Sequence, residues 1–319
     1  MPRVIAITSG KGGVGKSNFV LNVGICLAMM EHRVQVLDAD LGLANIDVLL
    51  GIRPRRTLED VVFHNTDPRD IVIKTDYRIE LIPGPSGTQD MADLSRERIE
   101  SLVKKVMTIS SDTEYLLVDT ASGISASVIS FLLAAPEVIV GVSPEPTSLT
   151  DAYAMIKVLK KNDYHGRISM FSSMVKNSVA GHTLYKKIAS ASQRFLDMHI
   201  DYLGSVYTDE KLKKAVSDQV PAVVRYPTSD ISRAYRVIAL TILGQEAPEV
   251  DQERFWSRLI TMLVKNPRPK VMKEISYNGN EGNGTIESTI HDILSEQRKT
   301  RMLLERLVAK MDQDITTSN

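Results

Sequence analysis

The chain has 319 residues with 43% hydrophobic content, which is enough for one large or two small domains with a sizeable core. Its formal net charge is +0, so no global field draws it to nucleic acid or to an acidic membrane, and such contacts would need a local patch. The sequence lacks a charged N-terminal segment followed by a long apolar run, and no apolar stretch reaches about 18 residues, so we expect a cytoplasmic protein.

The first predicted strand, residues 4–8, leads directly into a glycine-rich turn and a helix. Residues 10–17 fit the pattern G-x-x-x-x-G-K-S, in which the glycines allow close backbone approach to phosphates. Lys16 would neutralise phosphate charge, and the Ser17 hydroxyl would reach Mg²⁺. The sequence therefore predicts a P-loop, and the strand and helix around it disfavour a glycine-rich turn without a ligand. The predicted nucleotide contacts here are Gly10, Lys11, Gly12, Gly13, Val14, Gly15, Lys16, Ser17 and Asn18.

The only cysteine, Cys26, lies on the helix that follows the P-loop, among apolar residues. This position predicts a reduced core residue. A single thiol also argues against an iron–sulfur carrier, which needs several thiolates.

Short β-branched runs alternate with longer helical segments up to about residue 243, which predicts an α/β fold with a mostly parallel sheet and helices on both faces. The strand candidates are residues 4–8, 34–38, 79–82, 115–119, 138–142, 168–172 and 203–207. This P-loop NTPase sheet would end near Gly244 and be followed by a C-terminal helical extension. We divide the chain into an ATPase domain (1–244), an amphipathic helix with a basic flank (245–270), a linker (271–285) and a terminal helix or tail (286–319).

Three aspartates follow the C-terminal ends of predicted strands. Asp38 and Asp40 end the second strand and Asp119 ends the strand at 115–119. Ligands of open α/β sheets bind at this edge, beside the P-loop. The apolar run that ends in Asp119 fits the Walker B pattern, in which the aspartate holds Mg²⁺ directly or through water. A strand-end aspartate can also be a turn former. We predict a metal site from Ser17, Asp38 and Asp119.

The run K-G-G-V-G-K-S at residues 11–17 resembles the deviant Walker A box of the MinD/ParA family. The resemblance implies that Lys16 serves the nucleotide of its own chain and Lys11 that of its partner, so that ATP joins a homodimer. It also implies that Asp40 positions the attacking water, while Asp38 supports the Mg²⁺ and phosphate shell. The catalytic residues would then be Lys11, Lys16 and Asp40. A solvated Lys11 and turn chemistry at the two aspartates are the alternatives.

Three segments, residues 38–51, 85–89 and 144–153, resemble the FlhG/FleN (YlxH) branch of that family, and the similarity covers about residues 3–265. The resemblance implies an ATPase that dimerises with ATP and Mg²⁺ and regulates flagellar number or placement. The implied partners are the flagellar GTPase FlhF, flagellar switch-complex proteins or a FleQ-type transcription activator. The implied localisation is cytoplasmic, with reversible association with the inner face of the cell membrane.

Two features differ from that branch. The basic, glutamine-containing segment that activates FlhF does not precede the first strand here. Ser173 stands where the branch has an asparagine that contacts adenine, so weaker base discrimination is expected because a hydroxyl offers fewer hydrogen bonds than an amide. Asp209 stands in the second loop that borders the base.

Residues 251–265 predict an amphipathic helix whose apolar stripe contains Phe255, Trp256, Leu259, Ile260 and Leu263, with basic residues on its flanks. The stripe fits either an interfacial membrane anchor or packing on the chain's own domain. Residues 278–285 are a polar, glycine-containing linker, and apolar residues at spacings of three and four over 286–311 predict a further amphipathic helix.

Other functions share these motifs. A ParA-type DNA-partitioning ATPase would need a basic surface, and the neutral charge weighs against direct DNA binding. A MinD-type division-site regulator shares the ATPase and membrane cycle but acts on a different partner. A nucleotide-binding scaffold that does not hydrolyse ATP is the remaining alternative.

Overall fold

In a computed structural model of the protein, the described residues are 3–40, 44–85, 96–110, 112–246 and 252–265. The strands are β1 (Arg3–Ser9), β2 (Val34–Ala39), β3 (Ile73–Lys74), β4 (Ile79–Ile82), β5 (Tyr115–Thr120), β6 (Glu137–Val142), β7 (Arg167–Val175) and β8 (Asp201–Tyr207). The helices are α1 (Lys16–Met29), α2 (Ile46–Leu50), α3 (Leu58–Phe63), α4 (Arg96–Ile109), α5 (Ala126–Ala134), α6 (Pro146–Lys161), α7 (Ser178–Leu196), α8 (Glu210–Ser217), α9 (Ala222–Arg225), α10 (Asp230–Gly244) and α11 (Gln252–Ile260).

The strands of the described chain form one eight-stranded sheet in the order β3-β4-β2-β5-β1-β6-β7-β8. All neighbours pair in parallel except β3 and β4, which are antiparallel. The predicted α/β class is therefore confirmed. The sequence prediction missed β3, because a two-residue strand is too short to show a hydrophobic period.

Alternate residues of β1 face opposite layers of helices. Val4 and Ala6 belong to a core that includes α3 to α7 and α11, whereas Ile5 and Ile7 belong to a core that includes α1, α2 and α8 to α10. Because β1 is buried on both faces, its carboxyl end is a rigid support for the loop that follows. Cys26, on α1, is buried as predicted.

The helix predicted at residues 251–265 begins at Gln252, and its last five residues, Thr261–Lys265, form a π-helical turn. Its Phe255 and Leu259 are each 0% exposed and Trp256 is 1% exposed. They pack in the core with α4 and α5. In this structure the helix therefore packs on its own domain. Its apolar stripe faces the core and is not presented to a membrane. The predicted linker at 271–285 and the predicted helix at 286–311 lie outside the described residues.

No helix among the described residues combines the length and the apolar character that a membrane span needs.

We expect Trp256→Ala to lower the free energy of unfolding by about 3 to 5 kcal/mol, because it leaves a cavity between α11 and the domain. Urea denaturation of the full chain measures the change, and Ser257→Ala, on the exposed side of the same helix, should stay within about 0.5 kcal/mol of the parent. Equal stabilities of Trp256→Ala and the parent would show that α11 is detached in solution.

Candidate functional site

The P-loop connects β1 to α1 at the carboxyl edge of the sheet, close to its centre. Gly13 and Gly15 have φ of 79° and 87°, a left-handed conformation that glycine adopts without strain. A Cβ at Gly10 would lie 2.5 Å from the backbone carbon of Asp151, so only glycine fits between the loop and α6. A Cβ at Gly12 or Gly13 would meet nothing within 4 Å, so this side of the loop is open.

The N-terminus of α1 suits an anion. Its N-cap is Gly15, which provides no side-chain cap, and the first turn of this described helix contains no acidic residue. The first backbone N–H groups of a helix have no intrahelical acceptors, and the helix dipole favours negative charge there. A phosphate group fits this end of the helix in both hydrogen bonding and charge.

Two buried hydroxyls hold the loop in shape. Ser9 Oγ donates to the Lys11 carbonyl at 2.8 Å, and Ser173 Oγ donates to the Val14 carbonyl at 2.6 Å. Ser173 is 3% exposed and lies on β7. The adenine contact predicted for Ser173 stays a prediction. In this structure the hydroxyl group donates its hydrogen to the P-loop. Sequence analysis missed this supporting role, which joins residues 159 positions apart.

Below the loop, Lys16 forms a buried ion pair with Asp119. Lys16 Nζ lies 3.0 Å from Asp119 Oδ1, and their side chains are 8% and 2% exposed. Burial raises the pKa of Asp119, while the charge of Lys16 and a hydrogen bond from Ser17 oppose the shift. The predicted P-loop lysine, the predicted metal-binding hydroxyl and the strand-end aspartate therefore meet at one point.

Asp38 lies beside Asp119, because the two residues are register partners of β2 and β5. Its carboxylate accepts the backbone N–H groups of Asp40, Asn45 and Ile46 at 3.2, 3.0 and 3.2 Å. Burial, and secondarily the charge of Asp119, raises the pKa of Asp38 to about 7. Through these hydrogen bonds Asp38 links the start of the loop after β2, at Asp40, to the N-terminus of α2. Asp40 is half-buried at the start of that loop, and its charge contributes to the raised pKa of Asp119.

Among the described residues there is no group of three or more His, Cys, Asp and Glu side chains that could enclose a metal ion. Mg²⁺ in phosphate-binding sites needs no such enclosure, since it usually takes one or two protein ligands and completes its shell with phosphates and water. Ser17 and Asp119, which hydrogen bond to each other, fit that mode.

Lys11 has a different environment from Lys16. Its Nζ contacts a carboxylate oxygen of Glu145 and lies 3.3 Å from Thr147 Oγ1, at the start of α6. The Lys11 side chain is 40% exposed, and that of Glu145 is 57% exposed. The two lysines of the box therefore point to two places, one buried under the loop and one at the surface. Sequence analysis did not find Glu145, because it is 134 residues away.

Asp209 caps α8 and accepts the backbone N–H of Lys211 at 2.7 Å. The Asn18 carbonyl accepts a hydrogen bond from the Asn22 side chain at 2.8 Å within α1. Both are local helix contacts, and the nucleotide contacts predicted for these residues stay predictions.

The sequence model of the ParA family, described as the NUBPL iron-transfer P-loop NTPase, matches residues 1–243. The antiactivator FleN of Pseudomonas aeruginosa is 42% identical over 237 residues, which cover 74% of this chain and 85% of FleN. The flagellum site-determining protein YlxH of Helicobacter pylori is 31% identical over 269 residues, which cover 82% of this chain and 90% of YlxH.

Solved structures with the same fold include the cell division ATPase MinD of Pyrococcus furiosus, with a TM-score of 0.65 and 23% identity, covering 76% of this chain and 99% of MinD. The septum site-determining protein MinD of Pyrococcus horikoshii, complexed with Mg-ADP, has a TM-score of 0.65 and 23% identity, covering 78% of this chain and 100% of that one. The MinC:MinD cell division protein complex of Aquifex aeolicus has a TM-score of 0.60 and 26% identity, covering 78% of this chain and 98% of the matched chain.

The raised pKa of Asp38 predicts how stability depends on pH. An unfolded aspartate has a pKa of about 3.9, whereas that of folded Asp38 is about 7, so between these values the folded chain holds a proton that the unfolded chain has released. The free energy of unfolding should therefore decrease as pH rises from about 4 to about 7. We expect Asp38→Asn to flatten this dependence, measured by urea denaturation without nucleotide or Mg²⁺. Asp119, whose pKa is also raised by burial, keeps a slope of the same sign in the variant. Identical slopes in parent and variant would contradict the assignment.

We expect Ser173→Ala to weaken ATP and GTP binding about equally, roughly fivefold each, because it removes one hydrogen bond to the P-loop, worth about 1 kcal/mol. Fluorescence titration with both nucleotides measures the ratio of affinities, and Ser190→Ala, on the exposed surface of α7, is the control. A loss confined to ATP would mean that the hydroxyl reads the base instead.

Proposed function

This chain belongs to the ParA/MinD family of P-loop NTPases, and we propose that it is an ATPase whose nucleotide state controls its own dimerisation. The observation that carries the proposal is the division of the two box lysines, with Lys16 buried against Asp119 and Lys11 at the surface beside Glu145. A buried lysine under the loop can serve only the nucleotide of its own chain. A surface lysine at the same loop can reach another molecule.

Each residue of the proposed site has a defined task. The open P-loop and the uncapped end of α1 bind the phosphates, and Lys16 neutralises their charge. When bound, Mg²⁺ would neutralise phosphate charge, held by Ser17 and Asp119 directly or through water. We assign Asp40 to orient the attacking water, since phosphoryl transfer depends mainly on placing an in-line nucleophile and stabilising charge. Asp38 holds the loop that carries Asp40 through its three accepted N–H bonds.

Apolar side chains near the P-loop support dimerisation. Ile124 follows β5 and is 44% exposed, and Met174 lies near the end of β7 and is 45% exposed. Both lie towards the carboxyl ends of the parallel strands, the side of the sheet on which Lys11 lies. An interface there would bury this apolar surface and place the Lys11 of each chain next to the nucleotide of the other. In the single chain Glu145 competes for Lys11, so dimerisation exchanges a solvated carboxylate partner for phosphate.

The relatives indicate the output of this switch. FleN is an antiactivator and YlxH determines the site of flagella, and both match most of this chain. We therefore propose that the ATP dimer regulates flagellar number or placement through FlhF, switch-complex proteins or a FleQ-type activator. We do not propose iron transfer, because the single cysteine is buried in α1. Reversible association with the inner membrane face would require release of α11, since its apolar side chains are buried in the single chain.

The proposal predicts opposite changes in dimerisation for substitutions of Lys11 and Asp40. Lys11→Ala should bind ATP but remain monomeric and hydrolyse ATP at least about tenfold more slowly, because it removes a charge from the partner's site. Asp40→Ala should bind ATP, remain dimeric for longer and hydrolyse it about a hundredfold more slowly. Light scattering with ATP or ADP measures the mass, and phosphate release measures the rate.

Lys104→Ala is the matched control, because Lys104 is an exposed lysine that pairs only with Glu100 on α4 among the described contacts. A parent protein that stays monomeric with a non-hydrolysable ATP analogue would refute the dimer switch. A normal rate for Asp40→Ala would refute the role of Asp40.

A further inference from the structure

The last strand, β8, is an edge strand of the described sheet, and a groove follows its outer side. A cavity of about 840 Å³ is lined by the first half of α7, by β8 and by the first half of α10. A second cavity of about 400 Å³ continues along α7 to His199 and Ile200, which precede β8. The two cavities share Lys186, so they form one groove along the edge.

Two close approaches make β8 the floor of this groove. A Cβ at Gly181 on α7 would lie 1.9 Å from Ser205 Oγ, and a Cβ at Gly204 on β8 would lie 3.0 Å from Ile238 Cγ1 on α10. Glycine at both positions lets the two helices close on the strand from opposite faces. The helices are therefore the walls, and the strand edge lies between them.

The groove offers the two features that bind extended peptides. The outer side of an edge strand carries backbone N–H and C=O groups without a strand partner, which a further strand can pair with. The walls present apolar side chains to solvent, since Val179 on α7 is 73% exposed and Val237 on α10 is 57% exposed. Alternate side chains of an added strand would point towards these two walls.

The charges of the groove favour an acidic ligand. Its lining contains the cations Lys186, Arg194 and Arg233, and the only acidic lining residue in the described part of the chain is Asp230. Asp230 lies 3.3 Å from Arg233 and is partly neutralised by it. Because the whole chain has a formal net charge of +0, this excess of positive charge is a local property of the groove.

We propose that the β8 edge is a docking site for an extended, acidic segment of a partner protein, which adds to the sheet as a further strand. The described residues that line the groove are different from those of the proposed nucleotide site. The groove supplies the chain with a second means of contacting a partner, by backbone pairing and charge.

The test uses the full chain and synthetic peptides of the length of β8, 7 residues. The probe alternates glutamate with valine. One control peptide replaces glutamate with lysine, and another keeps the sequence but carries N-methyl groups on alternate backbone nitrogens, which removes the donors needed for strand pairing. Fluorescence anisotropy measures binding, and hydrogen exchange measures the protection of residues 201–207.

We expect the acidic probe to bind and to protect the β8 amides from exchange. Both control peptides should bind at least about tenfold more weakly. The double variant Lys186→Glu and Arg233→Glu should have an affinity for the acidic probe that is lower by a similar factor. Lys104→Glu, on α4, should bind the probe as the parent does. Equal binding of the N-methylated peptide would overturn strand addition, and equal binding of the lysine peptide would overturn the acidic partner. Full protection of β8 before any peptide is added would also overturn the proposal, because the chain itself would then cover the edge. None of these results depends on ATP hydrolysis.

Discussion

The ion pair between Lys16 and Asp119 joins the phosphate-binding loop to the strand that would support the metal, and the rest of the site is built around it. Both charges are buried, and burial of an ion pair is stabilising only when its geometry and hydrogen bonds compensate for lost hydration. Here Ser17 donates a hydrogen bond to the Asp119 carboxylate, whereas the negative charge of Asp40 opposes the ionisation of Asp119. Phosphate groups would add negative charge beside a lysine that already lies in a low-dielectric site, where a charge interacts strongly. The same burial raises the pKa of Asp38 and Asp119, so the site is a cluster of carboxyl groups whose charge responds to what binds.

The loop is held from three directions, which explains why its shape does not depend on the glycines alone. Ser9 and Ser173 bond to its carbonyls, and Gly10 packs directly on α6. α6 begins with the Glu145 to Thr147 segment that contacts Lys11. One helix therefore supports the P-loop and also holds the surface lysine that we assign to the partner's nucleotide. A change at the proposed dimer interface would reach the P-loop through α6, which contacts both Gly10 and Lys11.

The sheet separates two kinds of recognition, one at its central strands and one at its β8 edge. The nucleotide site lies at the carboxyl ends of the central strands, where parallel strands and helix N-termini converge. The groove lies at the β8 edge, where the backbone N–H and C=O groups of the sheet are open to pairing.

α11 closes the face between α4 and α5 with two aromatic side chains. The proposed cycle of dimerisation and membrane contact therefore requires a change in packing at α11 as well as at the P-loop.

The sequence by itself determined the local elements: the P-loop between its strand and helix, the α/β order, the burial of Cys26 and the positions of Asp38, Asp40 and Asp119 at strand ends. These follow from short-range patterns, since glycine spacing, strand period and strand-end carboxylates are all read within a few residues. Only the tertiary structure decided that Lys11 contacts Glu145, that Ser173 supports the P-loop and that α11 packs on its own domain. Each of these joins residues far apart in the chain, and an amphipathic stripe looks the same whether it will face a lipid or a core. The β8 groove also needed the structure, because a strand has an open edge only relative to the other strands of its sheet.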